Sequence, residues 1–241
     1  LAQALLKDSK VSEGFEKWLL DLVALATVAD LMPLLAENRT LVKYGLIVLS
    51  QTQRIGLKQL MKVAGITPIL EKRQPINSST HQLITNLDTY SLGFILGPRL
   101  NVASRIDHAN IAYQLLISSS EEEAKILAEK LDKMNKERQQ IVDKIVQEIE
   151  LKIKEIGLKK IIIEGSPNWP IGVLGLVAAK LVEKYYRPAV IFNISQKEIK
   201  GSARTLPKKL EMTEARSISR FNIVEAISQC AQFLRQYGGH P

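Results

Sequence analysis

The run "DLVALATVAD", residues 21–30, opens and closes on aspartate around an otherwise apolar stretch. Leu19, Leu22, Val23, Ala26 and Ala29 recur at helical spacing, which predicts one apolar helix face ending at Asp30. No Lys, Arg or His lies close to Asp30 in the chain. A buried carboxylate without a partner is costly, so Asp30 is exposed at a helix terminus, protonated, or matched to a cation from elsewhere.

Three further stretches hold residues able to grip an anion. "LGPRLNVASRIDHA", residues 96–109, sets two arginines and an asparagine among small residues. Gly97 and Pro98 there predict a turn that exposes Arg99, Asn101 and Arg105 together. Guanidinium forks match phosphate oxygens in geometry, whereas the plainer reading is a salt-bridge cluster between lobes with Asp107 as a partner. "GSPNWPIGVLG" places Gly172 and Gly175 at the start of a helix. Such glycines let backbone N–H groups approach an anion, and close helix–sheet packing explains them equally well. The fourth is "KGSAR" at 200–204 together with the terminal "GGHP". Gly238 and Gly239 before His240 read either as a helix C-cap or as a tight turn presenting a phosphate-holding donor. His81 reads as a surface residue and His108 as a local hydrogen-bonding residue rather than a ligand.

The elements that must carry these groups follow from periodicity. Residues 1–50 read as helices with a turn near "PLLAENR", and 56–65 as a short helix capped by Gly65. "TPILEKRQPINSSTHQ" contains two prolines and several turn formers, which predicts a loop. From Ser120 a serine cap and three glutamates in the first turn open a long helix, where the dipole favours negative charge. Its stripe is Leu127, Leu131, Met134, Ile141, Ile145, Ile149, Ile153 and Ile156, and Gly157 stops it. At 1.5 Å per residue this is a rod of roughly 54 Å, suited to spanning two lobes or to a coiled-coil arm. Beyond it "KKIIIEG" and "RPAVIFNI" are strands around the helix "WPIGVLGLVAAKLVEKYY", a strand–helix–strand unit of a small, partly parallel α/β domain. "EIKGSAR" adds a strand, and "NIVEAISQCAQFLRQYGG" reads as an amphipathic helix.

Bulk composition narrows the classes. With one cysteine, Cys230, the 241 residues cannot build a disulfide framework or a cysteine zinc site, which fits a reducing, cytoplasmic setting. No apolar run reaches the roughly 20 residues of a membrane span. The net charge is +8, and the basic excess is concentrated after residue 197, which points to a nucleic-acid partner. The first residue is Leu1 rather than Met, so the chain reads as a fragment or processed product.

Taken in order and spacing, "DLVALATVADLMPLLAENRTLVKYGL", "LGPRLNVASRIDHA", the long helix, "GVLGLVAAKLVEKYYRPAVIF", "KGSAR" and "GGHP" resemble the RecJ single-stranded-DNA exonucleases of the DHH phosphoesterase superfamily. The resemblance implies an α/β protein with three parts. Residues 1–55 would be the helical remnant of a DHH catalytic domain, 56–157 an interlobe linker with the long connecting helix, and 158–241 a small α/β DHH-associated domain. It implies that Asp30 is a catalytic ligand to Mn2+ or Mg2+. Neither "DHH" nor "DxDxxG" occurs in the chain, so the remaining ligands would lie outside it. By matched position Arg99, Asn101 and Arg105 would line the cleft, and Ser202, Arg204, Gly238, Gly239 and His240 the phosphate pocket. "SAR" at 202–204 and "ARS" at 215–217 both fit the pattern, and "EIK" before the first favours Arg204 over Arg216.

The function implied is part of a 5′→3′ single-stranded DNA exonuclease in repair and recombination, monomeric, with single-stranded DNA and other repair proteins as partners. The isolated chain is expected to be inactive. The competing readings are a DHH-type phosphodiesterase for short oligonucleotides or cyclic dinucleotides, and a non-catalytic single-stranded nucleic-acid-binding module.

Overall fold

A computed structural model describes residues 14–73, 82–106, 110–195, 199–205 and 222–238. The chain divides into two compact units between Lys136 and Glu137.

In the first unit a short 3-10 turn, Phe15–Leu19, leads into α1 (Leu20–Ala29), which packs on α2 (Ala36–Ser50). Gly45 makes this pairing possible. A Cβ there would strike the Leu20 carbonyl and the Ala24 methyl, so the two backbones approach where no larger residue fits. The buried face of α1 is Asp21, Ala24, Leu25 and Val28. That corrects the face expected from Leu22, Val23, Ala26 and Ala29, of which Ala26 is exposed and the others are half-buried. An almost wholly apolar helix has no polar side to fix its phase, and packing chooses it instead.

Helix α3 (Ile55–Val63) ends as expected. Gly65 takes φ 71°, its N–H bonds Lys62 O at 3.1 Å, and Ile66 N–H reaches back to Met61 O at 2.9 Å, a Schellman closure. Part of the predicted loop is instead a strand: β1 (Leu70–Arg73) pairs antiparallel with β2 (Gln82–Thr85), and residues 74–81 of the loop lie outside the described residues. Asn86 fastens the base of this pair, accepting from Ile69 N–H at 2.7 Å and donating to Thr67 O at 3.0 Å. His81 lies outside the described residues.

A π-helical segment, Ser91–Leu96, then runs without a break into α4 (Gly97–Ile106). Asp88 starts it: its Oδ1 accepts from the Ser91 N–H at 2.8 Å and from the Ser91 hydroxyl at 2.7 Å. These hydrogen bonds, the Ser91 N–H foremost, hold the Asp88 carboxyl below its ordinary pKa. Gly97 and Pro98 therefore form no turn. Pro98, which lacks an N–H, sits just past the junction of the π-helical and α-helical stretches, where the regular hydrogen-bond ladder is already shifted. Helix α5 (Asn110–Ile117) follows, with Gly56 of α3 pressed against the Leu115 carbonyl. The core here is built around Leu49, Leu57, Leu60, Leu92, Leu96, Leu115 and Leu131.

The long helix α6 is Glu121–Ile156, 36 residues. Ser120 Oγ accepts from the Glu123 N–H at 3.3 Å, and Gly157 at φ 81° ends the helix. Ala124, Ala128, Leu131 and Met134 are buried in the first unit's core, and Val142, Ile145 and Ile149 in the second's. Ile156, expected on the buried stripe, is exposed.

The second unit holds a three-stranded sheet in the order β3 (Ile162–Ser166), β4 (Ala189–Ile194), β5 (Ile199–Arg204). Strands β3 and β4 are parallel, joined through α7 (Leu174–Tyr185), and β5 returns antiparallel. The C-terminal half of α6 and α7 contribute the core around Trp169, Val177, Leu181 and Ile191. Lys180–Asp143 at 2.5 Å and Lys184–Glu150 at 2.6 Å stitch the two helices on their outer side. Phe192 lies over Gly201, where any Cβ would collide with its ring. The last predicted helix is shorter than its pattern. α8 covers Ile223–Gln229, a 3-10 turn covers Ala231–Phe233, and neither has a buried residue.

Candidate phosphate-binding site

Helix α7 begins without a side-chain cap: Val173, at its N-cap, is apolar and a 3-10 turn precedes it. Its first-turn residue Gly175 faces β5. A Cβ on Gly175 would stand 3.2 Å from Ser202 Oγ and 3.5 Å from Arg204 Nη2. Ser202 and Arg204 are two apart on one strand, so both project from the same face of the sheet. The fold thus collects the positive end of a helix, a half-buried hydroxyl and an exposed guanidinium at one place. Two stretches read separately in the sequence, "PIGVLG" and "KGSAR", become one site. Arg204 Nη1 donates to the Ala203 carbonyl at 3.0 Å, and its Nη2 lies at the site.

The segment entering α7 is pinned. Asn193 of β4 is buried, and its Nδ2 donates to the Trp169 carbonyl at 2.8 Å and to the Pro167 carbonyl at 3.2 Å. The Trp169 indole N–H donates to Glu148 of α6 at 3.0 Å, and Lys152 lies over the same ring while pairing with Glu164 at 2.8 Å. No sequence reading singled out Asn193, since its partners are two carbonyls more than twenty residues away.

Gly238 is exposed with open space about it, and Gly239, His240 and Arg216 lie outside the described residues.

In the first unit the arginines separate. Arg99 is largely buried, its Nε donating to Asp132 Oδ1 at 2.9 Å and its Nη1 to the Ile95 carbonyl at 2.7 Å. Lys136 adds a second cation to Asp132 at 2.7 Å. The salt-bridge reading of Arg99 is therefore correct in kind, although its partner is Asp132 of α6, and both residues belong to one unit. Asn101 is exposed and two helical positions removed from Arg99, so it points elsewhere. Arg105 follows Asn101 by one turn of the same helix. Asp107 and His108 lie outside the described residues.

Asp30 is exposed at the C-cap of α1. The turn it belongs to is a Schellman closure with Leu31 in the glycine position: Leu31 N–H bonds Val28 O at 3.1 Å and Met32 N–H bonds Thr27 O at 3.0 Å. Leu31 adopts φ 56° while 84% exposed, a left-handed conformation that leucine rarely takes. The buried carboxylate of the helix is its other aspartate. Asp21 is 2% exposed, accepting from Thr52 Oγ1 at 2.7 Å and Arg54 Nε at 3.2 Å. Among the described residues no group of three His, Cys, Asp or Glu could hold a metal ion, and Asp30 alone does not make such a site. No described helix is long and apolar enough to cross a membrane.

No family model matches the chain. Curated relatives do. RecJ of Bacillus subtilis, a single-stranded-DNA-specific exonuclease, is 39% identical over 224 residues, 92% of this chain and 25% of that protein. The RecJ of Haemophilus influenzae is 33% identical over 232 residues, 92% of this chain and 36% of the relative. Among solved structures, RecJ from Thermus thermophilus in complex with Mg2+ superposes with a TM-score of 0.72 at 27% identity, covering 93% of this chain and 30% of that one. An exonuclease RecJ bound to manganese gives a TM-score of 0.66 at 27% identity, covering 93% of this chain and 49% of that one. In sequence and in fold the chain is RecJ-like over nearly its whole length, and it spans about a quarter to a third of the curated relatives it matches.

Proposed function

We propose that this chain is part of a divalent-metal-dependent 5′→3′ single-stranded DNA exonuclease acting in repair and recombination, and that it contributes the phosphate-holding half of the site. The observation that carries this reading is the convergence of Gly175, Ser202 and Arg204 at the start of α7. A phosphate there would accept from backbone N–H groups, from the serine hydroxyl and from the guanidinium, with the helix dipole adding to the attraction. Asp30 would supply one metal ligand, with the rest coming from outside the described residues. Gly238, Gly239 and His240 would close the phosphate pocket, and Asn101 and Arg105 would face the strand. Arg99, being consumed by Asp132, would position α4 rather than touch DNA.

On its own the chain is expected to bind single-stranded DNA weakly and cleave nothing. Fluorescence anisotropy with a labelled oligonucleotide should show affinity falling steeply with salt, as phosphate recognition requires. Arg204→Ala should weaken binding of a 5′-phosphorylated strand by about tenfold, the scale of one charge-assisted hydrogen bond. Gly175→Ala should do the same by crowding Ser202 Oγ while leaving the fold intact. Binding that is absent at low salt, or indifferent to both substitutions, would remove the site from this reading.

A further inference from the structure

We infer that Asn193 is a positioning residue for phosphate at this site, an inference that rests on the reading of the Ser202–Arg204 pocket above. The backbone donors of α7 are useful only if the helix start is held at a fixed height over β5. Locally it is held by backbone bonds, Val173 N–H to the Pro170 carbonyl at 3.2 Å and Leu174 N–H to the Ile171 carbonyl, and neither the 3-10 turn at Ile171–Val173 nor α7 itself has a side-chain cap to tie it to the sheet. The segment leading in, Pro167–Pro170, carries two prolines, which stiffen it without anchoring it.

Asn193 supplies the anchor. It lies on the central strand, in register with Lys200, and its two Nδ2 protons go to two carbonyls of the entering segment, Pro167 and Trp169. Both partners are acceptors, so only the amide nitrogen fits there. A carboxylate would set like against like, and an alanine would remove the donor from both carbonyls, the Trp169 one in a buried place. The strand that carries Asn193 is bonded to β5, with Ile191 opposite Ser202 and Ala189 opposite Arg204. One strand therefore sets the register of the side chains on one side of the pocket and, through Asn193, the helix start on the other. Trp169 is tied a second time, through Glu148, which fixes the segment sideways while Asn193 fixes it against the sheet.

The test uses the intact 241-residue chain and a pair of probes, a short oligothymidylate with a 5′-phosphate and the same strand with a 5′-hydroxyl. The readout is the ratio of their dissociation constants. A residue that merely stabilises the unit would weaken both probes alike or neither, whereas a positioning residue moves the ratio. Asn193→Ala and Asn193→Asp are expected to cut the preference for the phosphorylated strand by about fivefold to tenfold, with affinity for the hydroxyl strand changed less than about twofold. An unchanged ratio in folded variants overturns the role of Asn193 while leaving the pocket in place. A wild-type chain with no preference overturns the pocket itself.

Should both variants fail to fold, the wild-type protein decides. Titration with inorganic phosphate, followed by NMR, is expected to shift the Asn193 side-chain amide and the Trp169 indole resonances together with the Gly175 amide. Movement of Gly175 alone overturns the inference.

Discussion

At the scale of residues, two aspartates in one short helix have opposite fates, and chain chemistry explains both. Asp21 is buried because Thr52 and Arg54, brought back by the turn after α2, give its carboxylate three donated contacts. Asp21→Ala should destabilise the first unit by about 3 kcal/mol, read as a lower urea midpoint, since it strands Arg54 and Thr52. None of this was legible locally, because the partners sit some thirty residues downstream. Asp30 was legible as a carboxylate with no sequence neighbour to neutralise it, and it is exposed. Beside it Leu31 occupies a glycine's conformation, so Leu31→Gly should raise stability by roughly 0.5–1 kcal/mol in the same denaturation experiment. Asp88 gives the pH-dependent case. Its pKa is lowered in the folded chain, so its contribution is full above the ordinary aspartate range and is lost as pH falls through the lowered value. Asp88→Ala should therefore cost about 1 kcal/mol at neutral pH, and the difference from wild type should vanish in strong acid.

At the scale of elements, what the sequence disclosed depended on punctuation. Gly65, Ser120 and Gly157 mark ends by known backbone chemistry, and those ends stand where they were expected. The antiparallel pair of β1 and β2 is hidden in the sequence because each strand is only four residues long, carries no strong alternation, and is flanked by proline and polar residues. The Gly97–Pro98 pair suggests a turn, yet it lies inside a continuous helix, where the preceding π stretch already departs from the regular ladder that a proline would interrupt. The candidate site is half legible: Ser202, Arg204 and Gly175 each stand out by type and position, but their meeting depends on β5 running antiparallel to β4, which no local pattern fixes. Close packing at glycines gives a contrast to test. Gly56→Ala would drive a methyl into the Leu115 carbonyl and should cost several kcal/mol, whereas Gly65→Ala meets open space and costs about 1 kcal/mol for its positive φ alone.

At the scale of the whole molecule, one helix serves two cores. Leu131 and Ile149 are both fully buried on α6, the first among residues of the unit before Lys136 and the second among residues of the unit after it. Truncating either to alanine should remove about 2–4 kcal/mol, but from different places. Hydrogen exchange should show Leu131→Ala loosening α3 and α5, and Ile149→Ala loosening α7 and β4. Loss of protection throughout the chain from either substitution would mean that the two cores unfold as one.

The π-helical stretch before α4 has a consequence for how such a sequence can drift. A π turn is, in effect, a helix carrying one residue too many. Deleting any single residue from Ser91–Leu96 would leave a regular helix, with no break for a sequence comparison to notice. Winding the same residues as regular α-helix, by contrast, would turn everything after them by about 100° relative to what came before. Leu92 could keep its place in the core only if Arg99 swung away from Asp132, or the reverse. The extra residue is a phase setting: it lets one continuous helix satisfy an apolar core at its beginning and an ion pair at its end.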